Sequence, residues 1–160
     1  MNIFILDKDI NRCAKYHCDK HVVKMILEYA QILCTVCNLY NVKAPYRSTH
    51  VKHPCVLWAA KSIRNFRWLR ELARALNEEY KFRYDKTDDH SSYKVIKTLK
   101  EPKLPDIGLT EHPQAMPKKY QVPNNPVKAY RNFYIYMKRP FATWTKRRIP
   151  SWYKKETSSK

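Results

Sequence analysis

The sequence predicts a mainly α-helical, compact single-domain fold with one long central helix, a short N-terminal strand or extended segment, and a proline-rich irregular stretch. Three observations predict it. Apolar residues between positions 17 and 38 recur at helical spacing, and a second run with the same period follows from about residue 54. The 160 residues, 44% of them hydrophobic, can bury a sizeable core and contain no Ser/Gly linker that would divide it. The helical domain is expected over residues 1–140, with a basic, aromatic C-terminal tail over 141–160 packed on it or extending from it.

Residues 2–6 form a short apolar run, after which Asp7 or Asp9 supplies a helix cap. The first long helix is expected from about residue 10 to about 40, ending in the turn-rich residues 41–48. A second begins near Pro54, a residue favoured at the first helical position, and runs to about Tyr84. Val56, Ala59, Ile63, Phe66, Leu69, Leu72 and Leu76 give it an apolar face, with Arg64, Arg67, Arg70 and Arg74 mostly outside it. After a polar loop, Ser91 or Ser92 caps a short helix to about Lys100. Residues 101–126 hold six of the ten prolines, and irregular stretches of this length in compact domains are often functional. Asn125 and Pro126 start a last helix.

Charge narrows the class of partner. The 32 Lys and Arg against 14 Asp and Glu give a formal net charge of +18, which opposes compaction unless a polyanion shares the surface. Double-stranded DNA is the expected partner, bound by a monomer. The basic residues are spread among 21 aromatics with no amphipathic basic helix at either end, so a membrane is not expected. The longest unbroken apolar run, residues 55–60, is too short to span a bilayer. Five cysteines and no signal peptide point to a reducing, cytoplasmic setting. Cys34 and Cys37 form a lone CxxC inside a helical pattern, where small buried residues are expected rather than a zinc knuckle. The single glycine, Gly108, excludes Walker-type loops, dinucleotide fingerprints and kinase glycine loops, which need several.

The candidate site is a narrow polar line on the central helix. His17, His21, Lys24, Glu28, Gln31 and Thr35 recur at steps of three and four, and so share one face with Lys20 and Asn38. Lys24 has Lys20, His17 and His21 within two helical turns, and neighbouring cations with partial burial favour a neutral, nucleophilic amine. Glu28, one turn on, is placed to activate that amine or to stabilise the positive charge that builds when a base leaves its deoxyribose. The expected roles are Lys24 as nucleophile, Glu28 as charge stabiliser, and His17 and His21 as proton handlers. A plainer reading of the same line is a solvated face with Lys24 and Glu28 as a weak ion pair. An alternative metal site would draw on His17, His21, His50, His53 and Cys55 and make the chain a metal-dependent nuclease, although no HExxH pattern is present. A third alternative is a DNA- or RNA-binding accessory protein without catalysis. No cofactor is expected.

Phosphate contacts and base stacking are expected from Lys20, Arg64, Arg67, Trp144, Lys146, Arg147, Arg148, Trp152, Tyr153 and Lys154. From residue 138 onward eight of 23 residues are Lys or Arg and one is acidic, with tryptophan and tyrosine between them.

The blocks CDKHVVKMILEYAQIL (18–33), HPCVLWAAKSIRNFRWL (53–69), PDIGLTEHPQAMP (105–117), AYRNFYIYMK (129–138) and ATWTKRRIPSWY (142–153) resemble small bacteriophage proteins described as pyrimidine-dimer DNA glycosylases, endonuclease V-like in type. The resemblance covers nearly the whole chain. It implies a small, basic, all-helical enzyme that cleaves the N-glycosidic bond of a damaged or modified pyrimidine, with strand cleavage by AP-lyase action as a further step. Endonuclease V-type enzymes attack with the α-amine of a small residue exposed when the initiator methionine is removed. Here bulky Asn2 follows Met1, whose removal is then not expected, which leaves three readings: the amine of Met1 itself, an internal one such as Lys24, or a different action on DNA such as processing of a modified base.

Overall fold

The computed structural model describes residues 1–137 and 140–153. Helices α1 (Ile10–Tyr16), α2 (Asp19–Leu39), α3 (Pro54–Lys61), α4 (Ile63–Arg83), α5 (Ser91–Thr98) and α6 (Pro126–Met137) are joined by irregular chain, with one 3-10 turn at Lys118–Tyr120. Among the described residues there is no β-strand. The fold is mainly α, as the periodicity predicts. Helix α2 is the centre, packed by α3, α4 and α5, and α1 lies on α4. By length and composition α2 could cross a membrane, but most of its apolar window is buried within the fold, as a core helix requires. All five cysteines are buried free thiols.

Two expected helices are each divided. The first breaks at His17 and Cys18, both extended. The reason lies far along the chain. The buried Arg83 guanidinium donates to the carbonyls of Lys15 (2.8 Å) and His17 (2.7 Å), satisfying the C-terminal acceptors of α1 that a continuing helix would have used. The N–H groups of Cys18 and Asp19 donate instead to Tyr134 Oη and the Thr143 carbonyl. The second helix breaks at Ser62, whose hydroxyl caps α4 by accepting from Arg64 N–H, while Ile63 N–H donates to the Pro105 carbonyl. The irregular stretch is thus wedged into the break. Asp9 caps α1 as expected. The cap of α5 is His90 Nδ1, not Ser91 or Ser92, because the Ser92 hydroxyl is taken by Tyr46.

Residues 2–6 are an extended segment threaded into the core, with Ile3, Phe4, Ile5 and Leu6 all buried. At the other end of the chain, Trp144 Nε1 donates to the Tyr16 carbonyl, and Thr143 and Thr145 donate to the Asp19 carboxylate. The described part of the C-terminal segment therefore lies against α1 and the start of α2.

Candidate active site

The site is built by whatever holds the first residues. Phe4 N–H donates to Tyr29 Oη (3.2 Å), a hydroxyl on the buried side of α2. Asn2 Nδ2 donates to the Ala115 carbonyl, and the Tyr130 hydroxyl donates to Asn2 Oδ1. Pinned at residues 2 and 4, the chain delivers the Met1 amino group to 3.1 Å from Glu28 Oε1. The side chains of Met1 and Glu28 are only 4% and 14% exposed. Lys24 lies one turn earlier on α2 with its Nζ 3.8 Å from Glu28 Oε2, and its side chain is 69% exposed. Glu28 thus stands between two amines, one carried by the half-buried Met1 and one on an exposed lysine side chain.

His53 adjoins this pair. It caps α3, with Nδ1 accepting from Cys55 N–H at 3.0 Å. Its pKa lies below the ordinary imidazole value because of burial, then the positive charges of the Met1 amine and His50, with Glu28 acting in the other direction. Burial pushes the neighbouring Cys55 thiol up to about 12, so it stays protonated.

His17 and His21 face the aromatic core. His17 Nδ1 is 2.8 Å from the Cys13 carbonyl, so that nitrogen carries the hydrogen, and Nε2 accepts from Tyr29 Oη at 3.0 Å. Burial lowers its pKa to about 4, which keeps it neutral at pH 7. His21 Nδ1 lies 2.6 Å from Tyr134 Oη, and its ring packs on Phe4 at 4.5 Å between centroids. The polar line therefore divides: Glu28 meets both Lys24 and the N-terminal amine, while the two histidines brace the segment that carries that amine. Further along, Thr35 Oγ1 donates back to the Gln31 carbonyl.

The alternative metal set is not assembled. Among the described residues no group of three or more His, Cys, Asp or Glu is placed to hold an ion. His50 Nδ1 pairs with its neighbour Thr49 at 2.8 Å, and His53 is used as a cap.

The expected nucleic-acid residues fall into distinct settings. Arg64 pairs with Asp106 (3.3 Å) and Arg67 with Glu101 (2.8 Å), both at the surface. The Lys20 ammonium sits 4.8 Å above the Phe141 ring. Lys146 contacts Asp85, and Arg147 pairs with the buried Glu79 at 2.7 Å. Arg148 is exposed and Trp152 half-buried, but Trp144 and Tyr153 are 7% and 6% exposed and serve the packing. Lys154 lies outside the described residues.

What sequence spacing could not find is the clamp of Tyr29, Tyr130 and Asn2. Its members are separated by up to 128 positions and belong to no motif.

Fold and site together define a class: a small, strongly basic, all-helical protein that presents an amine against a half-buried carboxylate. Residues 1–92 match the family model described as pyrimidine dimer DNA glycosylase, and the chain belongs to that DNA glycosylase family. The matched region contains Met1, Lys24, Glu28 and His53, whereas α6 and the C-terminal segment lie beyond it. No curated protein and no solved structure matches the chain.

Proposed function

We propose that this chain acts as a cytoplasmic monomer on double-stranded DNA, excising a damaged or modified pyrimidine with an amine nucleophile activated beside Glu28. The observation that carries the reading is the 3.1 Å contact between the Met1 amino group and Glu28. Of the two candidate amines, that of Met1 has the stronger support. Its nitrogen is 3.1 Å from Glu28 beside a buried methionine side chain, whereas the Lys24 ammonium is 3.8 Å away on a side chain that is 69% exposed.

In the proposed reaction the amine lone pair forms a bond to C1′ of the deoxyribose. The glycosidic C1′–N1 bond breaks with its electron pair leaving on the base, which is then protonated. Glu28 accepts the proton that the attacking nitrogen sheds and stabilises the positive charge at the sugar. Ring opening then gives an imine between protein and sugar. Its hydrolysis returns an abasic site, and β-elimination from it would break the 3′ C–O bond, the lyase step. Lys24, on the open side of Glu28, is suited to a phosphate flanking the lesion.

The test is borohydride trapping on duplexes carrying a pyrimidine dimer or an abasic site, with the adduct mapped by peptide mass. An adduct on residue 1 is the expected result. One on Lys24 would move the nucleophile along α2. Absence of both adduct and base release on dimer, abasic and modified-base duplexes would overturn the proposal and leave a DNA-binding accessory protein.

A further inference from the structure

Beyond the amine and its carboxylate, a second feature of the molecule has the makings of a binding site. Two cavities of about 620 and 380 Å³ share Lys8 and Val127 as wall residues and so adjoin one another at the start of α6. Each volume is within the range of small-molecule sites. Lys8 lies seven positions along the chain from Met1, beyond the buried segment of residues 3–6.

The lining is unusual in its unmet hydrogen bonds. Among the described residues, two buried side-chain polar atoms have no hydrogen-bond partner: His112 Nε2 and Trp152 Nε1. His112 lines the smaller cavity and Trp152 the larger. Buried polar groups are normally satisfied, and one left without a partner is destabilising. His112 is only 5% exposed, wedged against Trp58 and Trp68 at 4.2 and 4.3 Å between ring centroids.

The two cavities differ in charge. The larger is bordered by Lys8, Lys128 and Arg131, and the Asp7 carboxylate in its wall is occupied by Arg131 (2.9 Å) and Arg12 (3.6 Å). Helix α6 begins here. Asn125 Oδ1 accepts from Lys128 N–H, and the first N–H of the helix belongs to Val127, a residue common to both walls. Two lysines at a helix N-terminus suit a phosphate. The smaller cavity has the Trp68 ring, the His112 imidazole and the Glu111 carboxylate, which suit a flat heteroaromatic ring bearing an amino group.

We propose that this groove binds one nucleoside monophosphate unit, its phosphate held by Lys8, Lys128 and the start of α6, and its base set against Trp68 and His112. The unit comes either as a free nucleotide or as one residue of a single strand. The site is independent of the proposed chemistry at Glu28.

The experiment follows the tryptophan indole N–H resonances of the full chain by NMR while deoxyadenosine 5′-monophosphate is added. Saturable shifts of Trp68 and Trp152 are expected. The double variant Lys8→Ala/Lys128→Ala, both residues exposed, should weaken binding about tenfold or more. His112→Phe keeps the ring packing and should reduce the nucleotide to the affinity of inorganic phosphate. Glu28→Gln should leave this binding unchanged, which separates the groove from the glycosylase reading. Binding of the free nucleotide identifies a soluble ligand, and binding only of a short oligodeoxyadenylate identifies a strand. The proposal is overturned if neither ligand gives saturable shifts at those tryptophans, if inorganic phosphate binds as tightly as the nucleotide, or if both lysine and histidine variants bind like the parent.

Discussion

Arg83 Nη1 lies 3.1 Å from Asp19 Oδ1, and the arginine side chain is completely buried. The same guanidinium reaches Glu79 at 3.0 Å and the carbonyls of Lys15 and His17. Asp19 in turn accepts from Thr143 and Thr145, and Glu79 accepts from Arg147. One cation therefore fastens the end of α1, the start of α2, the end of α4 and, through its carboxylates, the C-terminal segment.

Replacing Arg83 with methionine should destabilise the fold by about 3–5 kcal/mol, because it takes the counter-charge from buried Asp19, leaves Glu79 with Arg147 alone and orphans two carbonyls. Chemical denaturation of the variant measures this. A loss below about 1 kcal/mol would mean that water reaches the site and replaces the guanidinium.

Acid should weaken the fold in two stages. His17 and His112 have pKa values lowered by burial to about 4 and about 3, against 6.5 for the free imidazole. The unfolded chain takes up these protons first, so the stability they contribute is intact above pH 6.5 and is lost as pH falls from 6.5 toward 4 and 3. At about 1.4 kcal/mol per unit, His17 alone should account for about 3 kcal/mol by pH 4. Asp19 and Glu79 add a second stage. Burial raises both, but hydrogen bonds from Thr145 and Thr143 to Asp19, and from Arg147 to Glu79, together with Arg83, outweigh it and leave both pKa values depressed. Their contribution is present above the unfolded values of 3.8 and 4.5 and disappears as pH falls below them. Thermal melts across this range, with imidazole resonances followed by NMR, test both stages.

Tyr29→Phe should remove a single oxygen and leave Phe4 N–H and His17 Nε2 without their shared partner, at a cost of about 1–3 kcal/mol. Because Phe4 belongs to the segment that carries Met1, imine trapping should slow more than the loss of folded protein explains. Trapping rates normalised to folded fraction measure the difference, and equal losses in both would reduce Tyr29 to a stabilising role.

Glu28→Gln preserves shape but cannot take a proton, and should lower base release by about a hundredfold or more. Lys24→Ala should retain most of the chemistry while weakening DNA binding. Single-turnover base release and filter binding, measured side by side, distinguish the two effects.

If about six cations reach phosphate, log affinity should fall against log salt with a slope near about −5. Arg64 and Arg67 already have carboxylate partners at the surface. Such exposed pairs are weak enough for phosphate to displace, so each alanine variant should flatten the slope by about one.

Much of this architecture could be read from periodicity. The central position of α2, the capping Asp9, Pro54 at the start of α3 and the start of α6 all follow from local pattern. The broken helices do not, since they depend on Arg83 and Pro105, which are distant in sequence from the residues they cap. In the candidate site, Lys24 and Glu28 are neighbours by helical spacing, but whether His17 faces cleft or core depends on a Tyr29 hydroxyl already engaged by Phe4. Composition marked Trp144 and Tyr153 as stacking residues. Trp144 is buried against Tyr134 with its Nε1 on the Tyr16 carbonyl, and Tyr153 is buried against Trp144, which no count of aromatics reveals.

Cys13, Cys18, Cys34, Cys37 and Cys55 are all shielded from solvent. Native protein should therefore ignore a maleimide that labels every thiol once the chain opens. A cysteine newly introduced on the outer surface would then be a unique attachment point for a fluorophore, allowing encounters with DNA to be watched one molecule at a time without altering the sulfur atoms inside.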